Sequence, residues 1–234
     1  MAPMTSNAVA PGAELNADFS ILARAETAAM AWQASPSPSV WRKRLDLAGA
    51  AESGRVTSVV RYDAGATFPA HDHPDGEEIL VLDGTFSDEH GDYPEGTYLL
   101  NPHDFRHAPF SRDGCTLIVK LRQYPGTGRA RIKIDTNAMA WEPGPFPDLS
   151  QKLLYSHPDH PEVVRLVKAE PGCAVPMHSH PGGEEAFLLE GALEDQNGPC
   201  QAGTWLRQPI GSSHAVVSPD GAVAYVKTGG FPGG

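Results

Sequence analysis

Two histidines one residue apart, His71 and His73, are followed after three residues by Glu77, and His107 stands further along the chain. Alternate side chains of an extended strand share a face, so His71 and His73 can grip one ion. The intervening Pro74-Asp75-Gly76 reads as a turn that folds Glu77 back over the same place, and a later antiparallel strand brings His107 to close it. Imidazoles with one carboxylate suit iron, manganese, nickel, cobalt or zinc. Every interval recurs in His178, His180, Glu184 and His214. The expected cofactor is therefore a divalent metal, two per chain, with Fe(II) or Zn ahead of Mn or Ni.

A single histidine in a strand is more often a surface group than a ligand, and it is the recurrence that raises these six above that reading. His90, His103, His157 and His160 have no repeated partner and are assigned to the surface. Lys120 and Lys227 recur within apolar strands and read as solvent-facing, with an inward, substrate-binding role as the alternative. Trp32 and Trp141 read as packing groups. Cys115, Cys173 and Cys200 are odd in number and form no CxxC pair, so they read as small core residues rather than a disulfide framework or a zinc finger.

The elements that must position these residues are written twice. A shift of 107 residues aligns Gly65–Gly114 with Gly172–Gly221 without a gap, with 21 identities in 50 positions. Met30-Ala31-Trp32 recurs as Met139-Ala140-Trp141. Short apolar or β-branched runs bounded by Gly, Pro or Asp predict strands over 56–62, 79–82, 98–101 and 116–121, with counterparts at 163–167, 186–189, 205–208 and 222–227. The runs 79–82 and 186–189 are apolar on both faces, as expected of strands buried on two sides. The polar stretches at 88–92 and 194–198 read as hairpin turns. Alanine-rich 22–32 has helical propensity. Pro and Gly cluster at 124–128, so the domains are expected at 18–124 and 125–234 behind a disordered leader, 1–17.

The segments from His71-Asp72-His73-Pro74-Asp75-Gly76-Glu77 to Gly84, and from Gly91 to His107, resemble the two sequence motifs of the cupin superfamily. Both copies match over about residues 30–229, so the chain resembles a bicupin, an all-β protein of two tandem jelly-roll barrels. Within that superfamily, 76–84 and Gly96-Thr97-Tyr98 through Asn101-Pro102 to His107 are most similar to the cupin half of ChrR-type anti-sigma factors, a subfamily that also resembles acetylacetone-cleaving dioxygenases. The resemblance implies one metal per barrel, held by His71, His73, Glu77 and His107 in the first and by His178, His180, Glu184 and His214 in the second. Glu78 and Glu185 repeat too. Glu77 and Glu184 keep the motif's interval to Gly84 and Gly191, whereas their neighbours face the other side of the strand. No histidine precedes His71, so the zinc-binding helical domain of the anti-sigma factors has no counterpart in this sequence.

Composition narrows the classes. The 24 Gly and 22 Pro favour many turns between short strands, and a net charge of −11 without a Lys/Arg-rich run argues against nucleic acid as a partner. No apolar run is long enough to cross a bilayer. A soluble, cytoplasmic protein acting on a small molecule is expected, with homodimer formation open. Three histidines and a carboxylate leave two positions on a six-coordinate ion, which suit a bidentate oxygen ligand. The first expectation is therefore a non-haem Fe(II) dioxygenase acting on a β-diketone or hydroxyaryl ketone. A non-catalytic zinc-binding sensor is the competing class, and a Mn- or Zn-dependent isomerase, lyase or hydrolase the third. No catalytic residue is identified beyond the ligands.

Overall fold

The computed structural model describes residues 13–233. Over these, contacts divide the chain into two units, one made of 13–17 and 29–133, the other of 18–28 and 134–233. Each is an antiparallel jelly roll. In the first, the main sheet runs in the order Ile132–Asp135, Thr97–Asn101, Glu77–Asp88, Cys115–Leu121, Arg55–Tyr62, Val40–Ala48, Gln33–Ala34. The short strands His71–His73 and Phe105–His107 pair separately. The second unit repeats the order with Ala23–Glu26, Thr204–Gln208, Glu184–Asp195, Ala222–Thr228, His160–Ala169, Leu149–His157 and Glu142–Pro143, and pairs Cys173–His180 with Ser212–Ser218.

The run read as a strand over 79–82 is the middle of a 12-residue strand, Glu77–Asp88, that serves two layers. Its first half pairs with Cys115–Leu121 and Thr97–Asn101, and its second half turns away to pair with Gly91–Pro94. Gly84 makes the bend. Its φ is +73° and a Cβ there would sit 2.3 Å from the Gly114 carbonyl oxygen, so only glycine allows the two backbones to approach. Gly191 does the same in the second unit, at φ +69° and 2.0 Å from the Gly221 carbonyl. Ile79, Leu80 and Val81 are all buried, as their unbroken apolarity implies. The expected hairpin turns close at Asp88/Gly91 and Asp195/Gly198.

Three expectations are corrected. Residues 22–32 are not helical: Ala23–Glu26 is a strand paired with Thr204–Gln208, followed by a single 3₁₀ turn at Thr27–Ala29. Ladder hydrogen bonds, with Thr204 Oγ1 donating to Glu26 at 2.7 Å, override alanine's propensity. By the same pairing Asp18–Ala28 clusters with the second unit, and residues up to Lys133 cluster with the first. Of the expected leader, 1–12 lies outside the described residues, whereas Leu15 bridges to Leu47 and the Asn16 amide donates to the Leu45 carbonyl at 2.7 Å. Lys120 and Lys227 do not face solvent. They are 2% and 0% exposed and stand in register opposite the buried Glu78 and Glu185 on the neighbouring strand, which supplies the countercharge that burial of an ammonium requires.

Candidate metal centre

The predicted residues converge in each unit. His71 and His107 are register partners on adjacent short strands, as are His178 and His214. Within each triad the ring nitrogens lie within 4.8 Å of one another. His73 Nε2 is 2.8 Å from His107 Nε2, and His180 Nε2 is 2.9 Å from His214 Nε2. Glu77 Oε2 stands 3.5 Å from both His73 Nε2 and His107 Nε2. In the second unit Glu184 is looser, 3.4 Å from His180 Nδ1 and 3.8 Å from His214 Nε2. Glu78 and Glu185 are buried away from the clusters, and the Trp205 indole donates to Glu185 at 2.7 Å.

The backbone and a set of outer carboxylates orient the rings. His71 Nδ1 lies 2.7 Å from the Pro69 carbonyl and His178 Nδ1 3.0 Å from that of Pro176, so these nitrogens carry the proton and Nε2 is left as the free lone pair. His107 Nδ1 is 3.1 Å from Asp88 and His214 Nδ1 is 3.2 Å from Asp195, with the same consequence. In the first unit these contacts form a network: the Tyr93 hydroxyl donates to Asp88 at 2.7 Å, Arg131 donates to Tyr93 at 2.7 Å and to Asn101 Oδ1 at 3.1 Å, and the Asn101 amide donates to Glu77 at 2.9 Å. In the second unit Cys200 replaces Tyr93, and Gln208, in the place of Asn101, donates to Asp195 at 3.3 Å.

The charge states of the two clusters differ as well. Burial opposes ionisation of Glu77, but His73, His107 and the Asn101 amide outweigh it and hold the carboxyl below its ordinary value. Burial pushes the Glu184 carboxyl up to about 7 against the pull of Arg165. Desolvation lowers His73 and His180 to about 4, so both rings are neutral donors at physiological pH. His107 is buried too, yet its bond to Asp88 and the charge of Glu77 raise it, whereas in His214 desolvation prevails over Asp195 and lowers it.

The donor set fits a divalent first-row ion. Cis ligands about 2.1 Å from such an ion lie about 3.0 Å apart, close to the 2.8 and 2.9 Å between the paired Nε2 atoms. Neutral imidazoles whose lone pairs face one another at this distance in a buried place need either a shared proton or a cation.

Each cluster opens on a cavity. That of the first unit, about 400 Å³, reaches from His71, His73 and Glu77 to a charged rim of Arg42, Arg44, Glu52 and Arg122. That of the second, about 330 Å³, runs from His178, His180, His214 and Glu184 into an apolar interior.

Sequence reasoning missed Asp88, Asp195, Asn101 and Arg131. Asp88 and Asp195 are among the residues identical at the 107-residue shift and were legible as a repeated acid. Asn101 and Arg131 carry no such signal, because Gln208 replaces the first and the second lies beyond the aligned window. Among the remaining histidines, His90 and His157 are exposed. His103 is partly buried, its Nδ1 accepting from the Asp75 amide at 2.8 Å.

The sequence profile of the ChrR cupin-like domain matches twice, over residues 22–125 and 129–232. No curated protein matches the chain in sequence. Among solved structures, a candidate dioxygenase from Nostoc punctiforme superposes with a TM-score of 0.70 at 15% identity, covering 92% of this chain and 81% of that one. The oxalate decarboxylase of Lactobacillus farciminis, in complex with formate, gives 0.63 at 13% identity over 89% and 86%. A bacterial pirin from Escherichia coli in complex with nickel(II) gives 0.68 at 11% identity over 89% and 99%. These likenesses establish the fold. Among the described residues no helix is long and apolar enough to cross a membrane.

Proposed function

Because the chain belongs to the ChrR cupin-like family and carries that domain twice, we propose that it binds two divalent ions per chain and is an iron-dependent dioxygenase of small, oxygen-chelating substrates such as β-diketones or hydroxyaryl ketones. The observation that carries this reading is the convergence of three histidines and a glutamate beside a cavity in each unit. His71, His73, Glu77 and His107 would hold one ion, and His178, His180, Glu184 and His214 the other. Iron there supplies Lewis acidity and one-electron chemistry. The residues do the rest. Asp88 and Asp195 keep the Nδ1 protons of His107 and His214 and so fix which nitrogen faces the cluster. Glu184, whose carboxyl burial pushes up to about 7 without metal, would release its proton on binding the ion. The apolar wall excludes water from that end of the second cavity.

The test is metal analysis after purification without chelators, then anaerobic Fe(II) loading and oxygen uptake across a panel of diketones and hydroxyaryl ketones. Two ions per chain and substrate-dependent uptake are expected. Absence of metal overturns the reading at its base. Metal without uptake favours a zinc-binding sensor, and substrate loss without uptake favours an isomerase, lyase or hydrolase.

A further inference from the structure

The two units share a fold but not an interior. At positions equivalent through the 107-residue shift, Tyr62, Ile79, Phe86, Tyr93 and Leu117 of the first unit become Ala169, Ala186, Leu193, Cys200 and Ala224 in the second. The five larger residues belong to one buried core cluster of the first unit. All five replacements line the cavity of the second. The first unit's cavity goes no deeper than Phe86 and Leu117, with Tyr93 wholly buried behind them, while the second reaches past Leu193 to Cys200 and Ala222. The first copy keeps a cavity of its own, about 400 Å³, but Tyr93 and Cys115 do not line it and it opens beside charged groups, so the fold does not impose the second unit's apolar depth. Protein interiors are close-packed, and an apolar void forfeits the dispersion contacts of its lining. A void kept by five coordinated reductions in size points to an occupant.

One further exchange identifies the occupant's polar end. Ser58 in the first unit corresponds to Arg165 in the second. Arg165 lines the cavity together with Glu184 and the histidine triad. Its Nη1 donates weakly to Gln151 at 3.4 Å, and its Nε is buried with no hydrogen-bond partner among the described residues. A guanidinium with an unspent donor beside the cluster suits an anionic oxygen. We infer that the second unit alone is the site for aryl-substituted enolisable ketones: the enolate oxygens lie between Arg165 and the His178, His180, His214 cluster, and a phenyl-sized body fills the apolar interior. A cavity of about 330 Å³ is ample for one ring and a short chain. This rests on reading the second triad as a metal site, and it adds which substrates the chain selects and where.

The probe is 1-phenylbutane-1,3-dione, titrated calorimetrically into the full chain loaded with redox-inert zinc, whose uptake is measured first. One equivalent per chain should bind. Ala186→Ile with Ala224→Leu, which install the residues of the first unit, should weaken it by at least about tenfold, while zinc content stays at two and Tm does not fall. Arg165→Met should weaken the diketone about tenfold, the scale of one charge-assisted hydrogen bond, and leave neutral acetophenone within about twofold. His71→Ala with His73→Ala should leave probe binding intact. Binding of two equivalents, or indifference to the filling pair, overturns the inference. Failure of zinc uptake at the second triad sinks the metal reading instead, and acetophenone binding to the zinc-free chain, abolished by the filling pair, still reads the cavity.

Discussion

The side-chain amide of Asn101 donates to Glu77 Oε2 at 2.9 Å, while its Oδ1 accepts from Arg131 at 3.1 Å. Glu77 is thereby clamped with one oxygen toward His73 and His107. Gln208, one methylene longer at the equivalent place, reaches Asp195 instead and leaves Glu184 unclamped by it. Two clusters of the same residue types thus differ in how firmly the carboxylate is presented.

Loosening the clamp should cost affinity at one site only. Asn101→Ala or Arg131→Gln should weaken metal binding at the first cluster by about 10–100-fold, the usual effect of removing an orienting partner. Competitive titration with a chromophoric chelator would resolve the two sites, with the second unchanged. Equal weakening of both would show that the network does not act locally.

The two glutamates should respond to neutralisation with opposite sign in metal-free protein. Glu77 is held below its ordinary value, so its contribution is present above that value and lost as pH falls through the lowered one. Glu184 is raised to about 7, so its contribution is present below about 4.5 and lost as pH rises through 7. Glu77→Gln should lower Tm at pH 8, whereas Glu184→Gln should raise it relative to wild type, by about 2–5 °C, with the gain vanishing toward pH 4. Thermal melts of chelator-stripped protein across that range check both. The same sign for the two variants would contradict the electrostatic difference between the sites.

Removing residues 1–28 should harm the second unit more than the first, which loses a bridge at Leu15 and a bond from Asn16 but no sheet strand. The deletion strips Ala23–Glu26 from the edge strand Thr204–Gln208, which carries Gln208 beside His214 and Asp195. Metal content should drop from two ions toward one. Adding His178→Ala and His180→Ala to the truncated chain should change little, while adding His71→Ala and His73→Ala should remove what remains. The reverse pattern would return 18–28 to the unit it precedes in sequence.

The sequence by itself determined the repeat, the all-β architecture and the eight residues that converge. These rest on local rules: period-two alternation puts His71 and His73 on one face, glycine alone tolerates the bend at Gly84, and a register repeated without gaps copies the geometry. Only the tertiary structure decided which strand completes which sheet, because pairing of Ala23–Glu26 with Thr204–Arg207, far along the chain, outweighs a weak alanine preference that sequence could see. It also decided that Lys120 and Lys227 are buried opposite carboxylates, and that Arg131 reaches Asn101 and Tyr93 from beyond the repeat. The hollow interior of the second unit lies between these cases. Ala169, Ala186 and Ala224 were visible as small residues, but only the folded arrangement puts them around one space beside His178, His180 and His214.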